Sequence, residues 1–372
     1  MTRVFAGLLA VLAVSLAAPA QAQSAWDHVA RVVVIGDLHG DYGKFHDQLI
    51  QAGLINGRDA WSGGATHLVQ LGDVPDRAPD TRKILDLLIK LEPQARRAGG
   101  YVHALIGNHE AMNMEGDLRY TTPAEFAAFV DRDSAARRDA YYARVVDALK
   151  ANPPAAGVPT FDEAFRAKFD AEHPLGWVEH RAAWSPNGVY GRWVLTHNAV
   201  IRIDDALYLH GGIGPEFASF DIDVLNKAVI SALRHDPQDA AGPQDILWNE
   251  QGPLWYRGMA MNDEATEAAH VAAVLTRYKV RRIVLGHTKR YSMVNARFDG
   301  GVILTDIAVP GGCLDPHGFL IKEGDTLTAV HRGHRLTLGL SGAAHDAYLA
   351  EIAALDRAVA LGAGLAPTCT VK

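Results

Sequence analysis

Short apolar runs alternate with helix-like segments along the first third of the chain. Three runs, at residues 30–35, 66–71 and 101–106, are rich in Val, Ile and Leu, and each ends in Gly followed by polar residues. Between them, residues 45–53 and 81–98 repeat apolar positions at helical spacing. Unbroken apolar strands separated by helices are typical of a largely parallel sheet buried on both faces. The pattern therefore predicts an α/β fold.

Strand patterns return in the second half of the chain. They predict strands at 193–203, 206–209, 280–285 and 302–309, and a last strand at 326–331. Helical spacing follows at 343–360.

Residues 121–190 differ from the rest. They are rich in Ala, Arg, Asp and aromatic residues, and Asn152-Pro-Pro154 interrupts them. We read them as a mostly helical insertion that could cap a site. No linker or internal repeat divides the chain, so we expect one α/β domain at 23–340 and a C-terminal helix and tail at 341–372.

The first 22 residues have the composition of a secretory signal peptide. Arg3 precedes an apolar run from Val4 to Ala18, and Ala20-Gln-Ala22 supplies a small-x-small cleavage site. The alternative is an uncleaved membrane anchor, but the run is short for a span of about 20 residues. We therefore expect a cleaved, secreted or periplasmic chain with no later membrane span.

Charge and cysteine content narrow the possible functions. The net charge is −7 and no basic run occurs, so nucleic-acid binding is not indicated. Cys313 and Cys369 are the two cysteines, and they could form a disulfide in an oxidising compartment or remain free thiols. Their spacing does not suggest a thiolate metal site.

Candidate metal ligands follow five of the predicted strands. They are Asp37, His39, Asp73, Asn108, His210 and His287. In open α/β sheets, ligands bind beyond the carboxyl ends of the strands, which is where these side chains lie. Carboxylates with imidazoles suit Mn, Fe or Zn, and one shared carboxylate can bridge two ions about 3.5–4 Å apart.

Each motif alone has an ordinary explanation. Asp after a strand commonly caps the next helix, Asn108 could simply begin one, and a single His is more often a satisfied polar residue. The joint occurrence at successive strand ends favours a metal site.

Five motifs together resemble the calcineurin-like metallophosphoesterase superfamily. They are GDLHG (36–40), GDVPDR (72–77), GNHE (107–110), HGG (210–212) and GH (286–287). Three further segments are similar to the phosphoprotein-phosphatase branch, and within it to Shewanella-like phosphatases. They are MNMEGDLRY (112–120), SPNGVYGRW (185–193) and GPLWYRG (252–258). The resemblance implies a four-layer α/β/β/α sandwich with two central mixed sheets.

The same resemblance implies two di- or trivalent metal ions, Mn, Fe or Zn, with manganese a suitable choice. Asp37 and His39 would bind the first ion and Asp73 would bridge both. The second ion would be bound by Asn108, His210 and His287.

The resemblance also implies roles for four further residues. His109 would donate a proton to the leaving oxygen, and Asp76 would orient its ring. Arg77 and Arg257 would bind the equatorial phosphate oxygens.

The function implied is a dinuclear metal-dependent phosphomonoesterase, a protein phosphatase for Tyr, Ser/Thr or both, using in-line attack by a metal-bridging hydroxide. Thr288-Lys289 follows the GH motif, so the second His of many phosphodiesterases is missing and monoesters are favoured. The substrate would be a phosphorylated protein or a small phosphomonoester. The alternatives are a nucleotide or dinucleoside-polyphosphate hydrolase and a non-catalytic phospho-ligand binding protein.

Overall fold

A computed structural model describes residues 23–155, 157–235, 243–309 and 314–362. The predicted signal peptide at 1–22, both cysteines and the tail from 363 lie outside the described residues. The described strands are β1 (Ala25–Trp26), β2 (Arg31–Ile35), β3 (His67–Gln70), β4 (Tyr101–Ala104), β5 (Val200–Ile203), β6 (Ala206–Leu209), β7 (Arg282–Leu285), β8 (Asn295–Arg297), β9 (Val302–Leu304), β10 (Phe319–Glu323), β11 (Thr326–His331) and β12 (His334–Thr337).

Helices connect and cover the strands. They are α1 (Tyr42–Gln51), α2 (Thr81–Arg97), α3 (Asn108–Glu115), α4 (Pro123–Ala127), α5 (Ser134–Ala151), α6 (Glu163–Glu172), α7 (Trp177–Trp184), α8 (Val189–Val194), α9 (Ile222–Leu233), α10 (Gly258–Met261), α11 (Glu264–Tyr278) and α12 (Gly342–Gly362). A 3₁₀ turn at Phe298–Gly300 joins β8 to β9.

Two mixed six-stranded sheets form the centre of the fold. Their strand orders are β1-β5-β6-β7-β9-β8 and β12-β11-β10-β2-β3-β4. In each sheet three neighbouring strands are parallel: β6, β7 and β9 in one, and β2, β3 and β4 in the other. The carboxyl ends of each parallel trio lie at one edge, which is where such sheets bind ligands.

Alternate residues of the strands face two different cores. Val34 of β2 and Tyr208 of β6 belong to the core between the two sheets. Their neighbours along each strand face the helices, as Val33 does against Phe45 of α1. Burial on both faces explains why the central strands read as unbroken apolar runs, and the predicted four-layer sandwich is confirmed.

The predicted mostly helical insertion is confirmed as α4 to α8. Its aromatic residues dock it on the core: Trp184 is fully buried, the Tyr190 hydroxyl donates to Asp86, and the Trp193 indole donates to Glu92. Both acceptors belong to α2. Among the residues that the structure describes, no helix is both long and apolar enough to cross a membrane.

Three strand predictions differ from the structure, two in length and one in being the last strand. The strand predicted at 193–203 forms only at Val200–Ile203, because α8 extends to Val194. The strand predicted at 326–331 is correct but is not the last, since His334–Thr337 pairs with it as an edge strand. The run at 302–309 is a strand only as far as Leu304.

Candidate active site

The six candidate ligands converge from both sheets. Asp37 and His39 follow β2, Asp73 follows β3, and Asn108 begins α3 just after β4. From the other sheet, His210 follows β6 and His287 follows β7. All six side chains are buried. The parallel trios therefore bring together the side chains that the sequence placed at strand ends.

Asp73 lies at the centre of this group. Nε2 of His210 is 3.2 Å from Oδ1 of Asp73, and Nε2 of His39 is 3.8 Å from its Oδ2. One cluster of possible ligand atoms within 4.8 Å of each other contains Asp73, His210 and His287, and another contains Asp73, His39 and His109. Asp73 belongs to both clusters, as a bridging carboxylate would.

Orphaned imidazole nitrogens show that the residues fit a metal. Nε2 of His39 and Nε2 of His287 are buried without a hydrogen-bond partner, whereas buried polar atoms are normally paired. The other ring nitrogen of His39 is 3.1 Å from the carbonyl of Pro75, and Nδ1 of His210 is 2.9 Å from that of Leu71. Such bonds fix the ring orientation and leave Nε2 for an ion.

The electrostatic field of the site favours a cation. Burial alone would lower the pKa of His210, but the carboxylates of Asp73 and Asp37 raise it to about 9. Burial and the neighbouring His210 lower the pKa of His287 to about 3, so its ring is neutral as a metal ligand must be. A divalent ion among these oxygens would neutralise the field that the two carboxylates create.

Several site residues adopt left-handed backbone conformations, which non-glycine residues rarely adopt. They are His39, Asp73, Asp76, Arg77 and His287, with φ between 49° and 77°. Such conformations cost about 1–3 kcal/mol each and cluster at functional sites. Each is held by a hydrogen bond from its own backbone N–H to the site or to the loops around it.

Glu110 joins two of the ligand loops. Its buried carboxylate accepts hydrogen bonds from the backbone N–H groups of Gly107, Asp73 and Val74 at 2.8–2.9 Å. Burial and the nearby Asp73 raise its pKa to about 7. A side chain at Gly107 would collide with the Asp73 carboxylate, which explains the glycine. Glu110 thus fixes the start of α3 against the loop that carries Asp73.

His109 and Asp76 form a buried pair beside the ligands. Nδ1 of His109 is 2.5 Å from Oδ2 of Asp76. Asp76 also accepts hydrogen bonds from the Thr121 hydroxyl at 2.7 Å and the Asn113 amide at 3.1 Å. Burial would lower the pKa of His109, but Asp73 and Asp76 outweigh it and raise the pKa above its ordinary value. His109 is therefore favoured in its protonated form.

The predicted phosphate-binding arginines contact different members of the site, Arg77 beside His109 and Arg257 beside His287. The exposed Arg77 has Nη2 3.5 Å from Nε2 of His109. Arg257 donates to the carbonyl of His287 at 3.0 Å and to the Thr288 hydroxyl at 3.2 Å. The ring of Tyr120 lies 5.1 Å from that of His109 and 5.8 Å from the Arg77 guanidinium carbon.

The sequence reasoning missed three residues of this region. Thr121 and Glu125 contact Asp76 from the insertion, and Asp306 follows β9 at the same rim. No local motif marks the first two, because their contacts depend on how the insertion folds. Asp306 had a signal: it is a carboxylate within the apolar run 302–309, for which the pattern predicts one continuous strand.

Comparison with known proteins agrees with this architecture. The model of the calcineurin-like phosphoesterase family matches residues 30–291. Shewanella-like protein phosphatase 2 of Arabidopsis thaliana is 32% identical over 304 residues, covering 79% of this chain and 75% of that protein. An uncharacterized protein of Schizosaccharomyces pombe is 30% identical over 314 residues, covering 81% of each chain.

Among solved structures, the cold-active protein-tyrosine phosphatase of a psychrophilic Shewanella species is similar, with a TM-score of 0.62 and 26% identity over 86% of this chain and 83% of that one. Fold, strand-end ligands and family model thus define a metallophosphoesterase, an enzyme that hydrolyses phosphate esters. The chain belongs to the calcineurin-like phosphoesterase family, and its relatives include Shewanella-like protein phosphatases.

Proposed function

We propose that this chain is a dinuclear metal-dependent phosphomonoesterase that dephosphorylates proteins, with phosphotyrosine as the favoured residue. The observation that carries the proposal is the buried His109–Asp76 pair, which lies against the ligand group and next to the exposed Arg77. A pure binding protein would need the ligands and arginines but no proton donor.

The donor set of carboxylates, imidazoles and one amide fits two ions of the Mn, Fe or Zn type. Asp37 and His39 would hold one ion. The other ion would be held by Asn108, His210 and His287, and Asp73 would contact both ions. When bound, such ions supply Lewis-acid polarisation of the phosphate and a nucleophile near neutral pH.

The side chains of the chain itself supply binding and proton transfer. Arg77, exposed beside His109, binds phosphate oxygens, to which its planar guanidinium can donate two parallel hydrogen bonds. Arg257 approaches from the side of His287. His109, with Nδ1 held by Asp76, presents Nε2 to the leaving oxygen and gives it a proton as the ester bond breaks.

Tyr120 supports the preference for an aromatic ester. Its side chain is 44% exposed, although its ring lies beside both His109 and Arg77. An aryl group leaving from a phosphate near Arg77 would find this ring as a stacking partner, and aromatic pairs add about 0.5–1.5 kcal/mol beyond burial. The tyrosine phosphatase named among the structural relatives agrees with this choice.

A hydrolysis panel tests the proposal. Residues 23–372 would be stripped of metal and reloaded with Mn²⁺ or Zn²⁺, then given a phosphotyrosine peptide, a phosphoserine peptide, a mononucleotide, a dinucleoside polyphosphate and a phosphodiester. We expect metal-dependent turnover that is fastest on the phosphotyrosine peptide. Fastest turnover of either nucleotide would refute protein dephosphorylation, and no turnover with two metals bound would indicate a binding protein.

We also propose that the enzyme works outside the cytoplasm, on the basis of the signal-peptide pattern of residues 1–22. N-terminal sequencing of the protein recovered from fractionated cells tests this. We expect a chain that begins at Gln23 in the periplasmic or secreted fraction. A chain retaining Met1 in the cytoplasm would contradict it.

A further inference from the structure

Asp306 is a buried carboxyl for which the predicted ligand set has no role. It follows β9, the strand next to β7 in the parallel trio, and therefore lies at the same edge as His287. Its side chain is only 2% exposed, and neither carboxyl oxygen has a hydrogen-bond partner. Burying a carboxyl without a partner is costly, so this position needs an explanation.

Asp306 lies beside Asp37, a predicted ligand of the first ion: a Cβ on Gly36 would be 3.2 Å from the backbone nitrogen of Asp306, and the two carboxyls are close enough to interact. The backbones of the two loops touch as well, since a Cβ on Gly36 would lie 2.8 Å from the carbonyl oxygen of Thr305. Two buried carboxyls side by side need either a shared proton or a cation between them.

The neighbouring lysines do not provide that cation. The amino group of Lys44 is 3.4 Å from a carboxylate oxygen of Asp315, which it neutralises, and it contacts only the backbone carbonyl of Asp37. Lys289 acts on Asp306 through its charge, but it is exposed and forms no ion pair with the carboxyl. Among the described residues, no ion pair reaches Asp306.

We propose that Asp306 completes the site of the first metal ion, contributing a carboxylate oxygen to the cation held by Asp37 and His39, directly or through one water molecule. This inference rests on the metal-dependent function proposed above. With Asp306, the end of β9 joins those of β6 and β7 in the site, so that each of the six strands in the two parallel trios contributes a residue. The hard oxygen ligand would favour Mn²⁺ or Fe over softer ions at this position.

The alternative, in which Asp306 is a protonated structural residue bonded to Asp37, makes opposite predictions. If a cation normally separates the two carboxylates, removing one charge relieves their repulsion in the metal-free protein. Asp306→Asn would then leave the melting temperature of the metal-free protein unchanged or higher, and it would weaken the affinity for the metal ion. A purely structural residue would lower the melting temperature and leave metal affinity unchanged.

The test measures Mn²⁺ binding by equilibrium dialysis and thermal unfolding with and without Mn²⁺, on the mature chain and on Asp306→Asn and Asp306→Ser. The matched control is Asp315→Asn, which removes a nearby carboxylate already paired with Lys44. We expect one of two Mn²⁺ sites to weaken by about tenfold or more in both Asp306 variants, the range seen when groups around a metal are removed. We expect a smaller Mn²⁺-induced rise in melting temperature and no such change in the control.

Wild-type-like Mn²⁺ binding by both Asp306 variants would overturn the inference, as would equal weakening in the Asp315 control. Because no turnover is measured, failure of the proposed function is distinguishable: it would appear as a wild-type chain that binds no Mn²⁺.

Discussion

Nδ1 of His109 lies 2.5 Å from Oδ2 of Asp76, and both side chains are almost completely buried. The pair connects the start of α3 to the loop after β3: His109 directly follows the predicted ligand Asn108, and Asp76 lies three residues after the predicted ligand Asp73. Asp76 receives two more hydrogen bonds, so its carboxylate has little freedom to rotate. A proton donor held this way is pre-oriented, which is what general-acid catalysis requires.

Thr121 is predicted to support proton donation by holding the Asp76 carboxylate that orients His109. Replacing it with Val removes the 2.7 Å hydrogen bond to Oδ1 and leaves the other two. One hydrogen bond is worth about 0.5–1.5 kcal/mol, so we expect roughly a two- to thirteenfold loss of kcat/KM on phenyl phosphate. On p-nitrophenyl phosphate, whose leaving group needs little protonation, the loss should be small.

Two variants control for a merely structural effect. Thr121→Ser keeps the hydroxyl and should restore activity on phenyl phosphate. Thr122 caps the N-terminus of α4 and does not contact Asp76. Thr122→Ala should therefore change the stability of the protein but not the ratio of its activities on the two substrates. An equal loss on both substrates in Thr121→Val would contradict the role assigned to Thr121.

Glu125 should make the stability of the protein depend on pH. It accepts hydrogen bonds from the Asp76 backbone N–H and from the Thr81 hydroxyl, and burial raises its pKa from 4.5 to about 7. Between these values the unfolded chain loses the proton while the folded chain keeps it. The free energy of unfolding should therefore fall as pH rises from about 4.5 to 7, then level off.

Urea unfolding of the wild type and of Glu125→Gln at pH 4 to 8 measures this contribution. We expect the stability difference, wild type minus variant, to decrease across that window by a few kcal/mol at most, since one pKa unit corresponds to about 1.4 kcal/mol. A pH-independent difference would mean that Glu125 has the same pKa in the folded and unfolded chains.

Most of the site was predictable because parallel strands end at one edge. Asp37, Asp73 and Asn108 are far apart in sequence, but the order of apolar runs already places them on neighbouring strands. The contacts of Thr121 and Glu125 were not predictable, because they arise when a non-periodic insertion folds back on the loop of Asp76.

Two of the missed strands, β8 and β10, have charged residues in buried positions. In β10, Lys322 is buried and pairs with Asp205 at 3.0 Å, so a charged residue interrupts an otherwise apolar strand. In β8, buried Arg297 donates to the backbone carbonyls of Met259 and Asn262. At β12 the side chains are mostly exposed, so the edge strand has no apolar pattern to find.

Asp73→Asn is predicted to weaken both metal sites together. Asp73 belongs to both clusters of possible ligand atoms, whereas the imidazoles of His39 and His287 each belong to one. Metal analysis after dialysis should find a deficit of both ions in Asp73→Asn. His287→Asn, as the comparison, should lose one. Loss of a single ion in Asp73→Asn would contradict the bridging position.

Arg77 is predicted to bind phosphate rather than to maintain the fold. Arg77→Ala should raise the inhibition constant for inorganic phosphate about tenfold or more, and Arg77→Lys should restore only part of the affinity because it lacks the planar fork. Arg119→Ala is the matched control, since Arg119 is exposed nearby and pairs with Asp117. Equal inhibition constants in wild type and Arg77→Ala would exclude the assignment.

The dependence of rate on the leaving group tests most directly the central claim that His109 donates the proton to the leaving oxygen. A series of aryl phosphates of increasing phenol pKa would be hydrolysed by the wild type and by His109→Ala, each analysed for metal. We expect a nearly flat dependence for the wild type and a steep one for the variant. The variant should retain its metal and lose about 100-fold or more on the poorest leaving group. Parallel dependences, or loss of metal in the variant, would show that His109 is not the proton donor.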